Sequence, residues 1–251
     1  RQKMADLIIG NNVLAHVPDV NDFVQGIKII LKDKGVTTLE FPHLMQLIEQ
    51  NQFDTIYHEH FSYFSFFTVR KIFNAHRLEL FDVEEIPTHG GSLRIYAGHK
   101  EDKTKKVSPN VDQLIKKEIS KGMNRLNYYR DFQTKIDNVK NDLMKFLFEN
   151  QKNNKKVVAY GAAAKGNTLL NYCGIKKDLI RFVVDKSPEK QGKFLPGSHI
   201  PIVKESEIKK FKPDYILILP WNIQEEIIEQ LKYARAWGGK FVLAIPKLKI
   251  I

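Results

Sequence analysis

Cysteine is almost absent: Cys173 is the only one in 251 residues. No internal disulfide framework can form, and the chain suits a reducing compartment, the cytoplasm. Cys173 falls near the end of an apolar helical stretch, where a thiol is ordinarily a small buried hydrophobe. Long apolar runs are lacking too, and none approaches the roughly 18 residues of a membrane-spanning helix. The opening Arg1-Gln-Lys-Met-Ala-Asp-Leu-Ile-Ile has only a brief apolar stretch and no small-residue cleavage site, so it is a poor secretory leader. It begins with Arg and runs almost at once into a strand, which suggests a preceding segment. Acids are outnumbered, 29 against 40 bases, for a net charge of +11. Such an excess raises nucleic acid as a partner. Residues 100–156, however, hold 15 of the Lys and Arg with 8 Asp and Glu interspersed, as on a solvated helix, and show no base-reading motif. Neither nucleic acid nor membrane is therefore expected as a partner. A basic surface that draws in a small anion remains open.

The 43% apolar content allows a sizeable core, enough for two modest α/β domains or one large one. Residues 7–10 read as a buried strand, 22–31 as a helix stopped by Gly35, and 36–41 as a strand ending at Pro42. A helix over 68–76 and strands over 80–85 and 93–97, joined through Pro87, Gly90 and Gly91, complete a partial Rossmann-like sheet. From 109 to 151 apolar residues recur at steps of three and four, which predicts one long helix, with Gly122 as the place for a kink. A hairpin within one domain is the other reading. Strands at 157–160, 181–185, 214–219 and 240–245 then alternate with helices at 161–173 and 223–235, implying a second, parallel sheet. The expected division is 1–108, a connecting helix 109–152, and 153–251.

Tyr57-His58-Glu59-His60, followed by the aromatic-rich segment 61–67, is the most unusual local composition. Proton-exchanging side chains beside an apolar wall suit acid–base chemistry. On a helical turn Tyr57 and His60 share a face; on a strand His58 and His60 do, which keeps a metal reading open. A structural polar cluster is the third possibility. His16, in Asn12-Val-Leu-Ala-His16-Val-Pro, follows the first strand, where open sheets place ligands, although a lone loop His is often merely solvated. In Thr88-His-Gly-Gly-Ser92-Leu-Arg94 the glycines permit close approach, and Arg94 is either a phosphate or sugar clamp or an exposed turn residue. Gly161-Ala-Ala-Ala-Lys165-Gly-Asn167-Thr opens a helix with an anion-ready start. Asp185 ends the next strand, where dinucleotide folds hold a ribose. The middle glycine of that fingerprint is Ala163, so NAD is weakly supported. Trp221 and Asn222 follow the third strand at the same edge, where Trp221 serves either as a base or sugar platform or as a hydrophobic cap.

Taken in order, these motifs, with Glu40-Phe-Pro, Asp185-Lys-Ser-Pro-Glu-Lys-Gln-Gly and Leu195-Pro-Gly-Ser-His-Ile-Pro, resemble those of the S-adenosylmethionine-dependent sugar C-methyltransferases that build branched deoxysugars. The resemblance spans essentially the whole chain. It implies a partial methyltransferase domain, a C-terminal Rossmann-like domain, and methylation of a nucleotide-linked sugar at a carbon next to a C4 ketone. It also implies His60 as general base with Tyr57, Glu59 and His16 as partners, and Asn12 and His16 beside the cofactor. Position places Ser92, Arg94, Lys165, Asn167 and Asn222 on the substrate, most simply a thymidine diphosphate-linked sugar. Family members also carry an N-terminal zinc-binding domain and a Gly-rich strand–loop that grips S-adenosylmethionine, neither of which is found here. Zinc is expected only in such a domain. The chain starts at what would be the fourth strand of the methyltransferase sheet, so by itself it is expected to bind S-adenosylmethionine poorly and transfer no methyl group. An NAD-dependent nucleotide-sugar oxidoreductase and a non-catalytic nucleotide-sugar binding module are the rival readings.

Overall fold

The computed structural model describes residues 4–251, which separate into two compact units. The first comprises residues up to Glu49 together with His58–Asp131. Strand β1 (Ala5–Asn11) is followed by helix α1 (Val20–Ile30), whose start is capped by the Asp19 carboxylate accepting from the Asn21 and Asp22 N–H groups. α1 buries Val24 and Ile27. Strand β2 (Leu31–Pro42) begins directly after it and lies parallel to β1. The expected stop at Gly35 is corrected. Leu31 is already extended, Ala5 pairs with it, and the register slips between Ala5 and Leu7. Gly35 lies inside the strand, where a Cβ would come within 2.7 Å of the Leu31 side chain.

Helix α2 (Leu44–Glu49), unforeseen, precedes helix α3 (Phe66–Ala75), capped by Ser65. Strands β3 (Leu78–Ile86) and β4 (Ser92–His99) form a hairpin, and β4 inserts antiparallel between β2 and β3 to give the order β1-β2-β4-β3. A parallel β-α-β step followed by an inserted antiparallel hairpin forms the partial Rossmann-like sheet expected from sequence. Its core gathers Leu14, Val24, Phe41, Phe66, Phe73 and Ile95.

One long helix over 109–152 does not form. Helix α4 (Pro109–Ser120) ends before Gly122, whose φ of +84° turns the backbone out of helical geometry. A single turn, α5 (Asn127–Arg130), intervenes before α6 (Phe132–Lys152). The apolar spacing stays in step across the break through Met123, Leu126 and Tyr129, which is why it reads as continuous. α4 packs in the first unit through Val111 and Leu114, whereas α6 lines the second through Ile136, Val139, Leu143 and Leu147.

The second unit comprises Gln50–Tyr57 and Phe132–Ile251. Strands β5 (Val157–Tyr160), β6 (Val183–Val184), β7 (Ile202–Val203), β8 (Tyr215–Ile218) and β9 (Lys240–Leu243) are parallel, and β10 (Lys249–Ile250) is antiparallel. The order β10-β9-β8-β5-β6-β7 is that of a Rossmann-like sheet, with its topological switch between β5 and β8. Helices α7 (Ala164–Cys173), α8 (Ser206–Phe211) and α9 (Gln224–Gln230) connect the strands. The helix expected to 235 closes early and continues as a 3₁₀ turn, Lys232–Trp237. Phe53, from the segment Gln50–Tyr57, joins the core of this unit. Cys173 is buried there, and burial pushes its thiol up to about 12, so it is an inert packing residue.

Candidate functional site

In the first unit, polar side chains collect at the carboxyl ends of β1 and β2. Asn12 follows β1 in the left-handed region (φ 54°), and its N–H donates to the Glu40 carbonyl at 2.8 Å. Its Nδ2 lies 3.1 Å from His89 Nε2, while its Oδ1 is buried without a hydrogen-bond partner. His89 is left-handed as well (φ 55°). Two touching non-glycine residues in that region represent about 1–3 kcal/mol of strain each, of the kind folds retain at functional sites. His16 closes a 3₁₀ turn, Leu14–His16, anchored by buried Leu14 and Ala15. The Ala15 carbonyl accepts from both the Phe61 and Ser62 N–H groups, which brings His60 back to His16. The two imidazoles meet edge to face with centroids 4.7 Å apart, and Tyr63 meets His60 in the same manner at 5.8 Å.

His58 to His60 lie on a turn, so neither the helical nor the strand alignment of this motif holds. His58 and Glu59 are exposed, and Glu59, expected to orient His60, makes no hydrogen bond or ion pair with any described residue. Tyr57 belongs to the second unit. The aromatic wall divides, with Phe64 and Phe66 in the core and Phe61 61% exposed. Among the described residues, no three His, Cys, Asp or Glu side chains are grouped to hold a metal ion.

Ser92 and Arg94, expected on the substrate, are engaged within the protein. Buried Ser92 donates its hydroxyl to the Thr88 carbonyl at 3.0 Å and shapes the turn. Arg94 lies 3.2 Å from Glu40 and 3.5 Å from Glu84, so two carboxylates already match its charge. Glu40, buried, also accepts from Thr88 Oγ1 at 2.8 Å. Glu40 and His89 are site residues that spacing did not single out. The signal available was an acid closing a buried strand just before Pro42, and a His before two glycines.

In the second unit Lys165, at the start of α7, and Asn222, just after β8, come together beside the switch point with Trp221. Lys165 Nζ donates to Asn222 Oδ1 at 2.7 Å and sits 4.6 Å over the Trp221 ring, a cation–π contact. Trp221 Nε1 donates to Asp54 Oδ2 at 2.8 Å. Asp54, overlooked in the apolar run Phe53-Asp-Thr-Ile, is fully buried, and its Oδ1 has no hydrogen-bond partner. Burial raises its carboxyl to about 7 against the opposing pull of the Trp221 hydrogen bond and the Lys165 charge. Burial likewise lowers the Lys165 ammonium, and Asp54 opposes that shift. The first turn of α7 has no side-chain cap, and Asn167 Oδ1 is buried without a partner.

Asp185 is committed elsewhere. Its Oδ2 accepts from the Ala162 N–H at 2.7 Å and faces Lys190 Nζ at 3.3 Å, and its Oδ1 accepts from the Ser187 N–H at 2.9 Å. The glycines serve packing: a Cβ on Gly161 (φ +95°) would come within 2.4 Å of Pro220, and one on Gly166 within 2.7 Å of Leu219. Both supports of the NAD reading, the ribose acid and the phosphate-cradling loop, thus have structural uses.

The domain family described as C-methyltransferase C-terminal domain matches residues 87–246. The chain is 37% identical over all 251 residues to C-methyltransferase NovU of Streptomyces niveus, and it spans 60% of that relative's length. Among solved structures, magnesium protoporphyrin IX methyltransferase from Synechocystis PCC 6803 with bound SAH is 14% identical, with a TM-score of 0.30 over 39% of this chain and 46% of the other.

Proposed function

Because the chain belongs to the C-methyltransferase family, we propose that it acts in the S-adenosylmethionine-dependent C-methylation of a nucleotide-linked 4-keto-deoxysugar, at the carbon next to the ketone. The observation that carries this reading is the His16–His60–Tyr63 cluster at the carboxyl end of β1. A proton α to a ketone is only weakly acidic, so its removal needs a base that titrates near neutrality and donors for the enolate oxygen. His60 removes that proton. His16 donates to the ketone oxygen as it becomes an enolate. Glu59 is exposed and unbonded, while the rings of His16 and Tyr63 pack against that of His60 and help to orient it. S-adenosylmethionine, when bound, supplies the electrophilic methyl group. Asn12, with its orphaned buried Oδ1, and His16 are the residues here that fit contact with it.

The diphosphate is the task of the second unit. Lys165 supplies the positive charge, the uncapped start of α7 supplies N–H donors, and Asn167 and Asn222 lie beside them. A thymidine diphosphate-linked sugar in the cytoplasm is the substrate and setting proposed.

A thermal-shift comparison with thymidine diphosphate, S-adenosylhomocysteine and NAD tests this. Thymidine diphosphate at 100 times its dissociation constant is expected to stabilise the protein by about 2.7 kcal/mol. A shift with NAD and none with thymidine diphosphate would replace the proposal by an oxidoreductase.

A further inference from the structure

The carboxyl of Asp54 is an odd neighbour for an anion site. It is fully buried, one oxygen is fixed by the Trp221 N–H, and the other has no hydrogen-bond partner. The Trp221 ring carries the Lys165 ammonium on its face, and Asn222, next in sequence, accepts from that ammonium. Asp54 thus holds the edge of the ring whose face holds the cation. The turn Phe53–Thr55 that bears Asp54 packs on α7, the helix that supplies Lys165. The field of the Lys165 ammonium reaches Asp54 and opposes the effect of burial on its carboxyl. Elsewhere on α7, Tyr172 and Cys173 keep their protons because burial raises both, and the turn Trp221–Ile223 contributes no titrating group.

An ionised Asp54 would cancel the charge that Lys165 offers to a ligand. Resting on the diphosphate assignment above, we propose that Asp54 is the positioning residue of this anion site: it aligns Trp221, and through it Lys165, and it takes a proton from solvent when a nucleotide diphosphate binds. An anion beside Lys165 disfavours a second negative charge a few ångströms away, so the bound state prefers the neutral acid. The carboxyl is already near balance at about 7 in the free protein, which makes that uptake accessible at neutral pH. The sign follows: affinity is highest where Asp54 is already protonated and falls as pH rises, because binding must then include the proton.

The probe is thymidine diphosphoglucose, whose diphosphate diester does not titrate near neutrality. Isothermal titration between pH 6.5 and pH 8.5, in buffers of differing ionisation enthalpy, reads both affinity and proton uptake. For the unaltered chain, affinity is expected to fall about fivefold or more over that range, with proton uptake at the upper end. Asp54→Asn, which keeps an acceptor for Trp221 but cannot ionise, is expected to hold the low-pH affinity throughout, with heats independent of buffer. Asp54→Ala is expected to bind weakly at every pH, so rescue by Asn separates positioning from folding. Unchanged proton uptake in Asp54→Asn, or full affinity in Asp54→Ala, would overturn the inference. If the nucleotide sugar does not bind the unaltered chain, the nucleotide reading fails, and the same series with inorganic pyrophosphate, its own titration removed by difference against Asp54→Asn, still tests Asp54. Failure of pyrophosphate to bind would overturn the inference as well.

Discussion

Replacing His60 with Asn is expected to slow exchange of the proton next to the ketone of a thymidine diphosphate-linked 4-keto-6-deoxysugar by roughly 10²–10⁴-fold. Exchange isolates the enolisation step. It needs a base, enolate donors and a bound sugar, and it requires no methyl donor, so it can be followed by proton NMR in deuterium oxide with this chain alone. His60 is the imidazole that the 58–65 loop returns to His16 through the two N–H groups bonded to the Ala15 carbonyl. Asn fills much the same space without a nitrogen able to take the proton. Nucleotide affinity should persist in this variant, because Lys165, Trp221 and Asn222 belong to the second unit. Loss of exchange with retained binding therefore marks a base rather than a damaged fold. Glu59→Gln provides the contrast: Glu59 is exposed and unbonded, so most of the exchange rate should remain. Rapid exchange in His60→Asn would move the base to another residue.

What was legible in the sequence follows from periodicity and motif order. The first β-α-β step, the hairpin and the alternating second unit all rest on apolar spacing, which local composition carries. The junction between units did not, because Met123, Leu126 and Tyr129 keep helical step across Gly122, and only the left-handed backbone there ends the helix. At the candidate sites, motif order singled out His16, His60, Lys165 and Asn222, each of which lies at a carboxyl edge of a sheet. The ion pairs of Arg94 are not legible in spacing, because its two carboxylate partners, Glu40 and Glu84, come from other strands in register with it. Asp54 was overlooked for a similar reason. An acid in an apolar run gives no local sign of whether it reaches solvent, and its partner Trp221 is 167 residues away. Long-range pairing of buried polar groups is the part of a fold that spacing does not encode.

Glu118 shows the same effect with a larger energetic consequence. On α4 it reads as one more solvated acid among Lys116, Lys117 and Lys121, yet it is fully buried. One carboxylate oxygen lies 2.7 Å from His43 Nε2 and 2.7 Å from the Phe66 N–H; the other accepts from the Phe67 N–H at 2.8 Å. Phe66 and Phe67 open α3, where backbone N–H groups have no partner within the helix. Ser65 Oγ accepts from the third, that of Thr68. Glu118 therefore completes a cap from outside the helix and ties α4 to it. Glu118→Ala strands His43 and two N–H groups in a site closed to water, and a loss of about 3–5 kcal/mol from the first unit is expected. Glu118→Gln keeps one acceptor and should lose less, about 1–3 kcal/mol. Lys117→Ala, which removes an exposed pairing with Glu85, should stay within about 1 kcal/mol. Trp221 and Trp237 both belong to the second unit, so tryptophan fluorescence would report on the wrong half. Hydrogen exchange at the α3 amides, read against urea, follows the first unit directly. Unchanged protection of those amides in Glu118→Ala would mean that the buried carboxylate contributes little beyond what an apolar contact would supply.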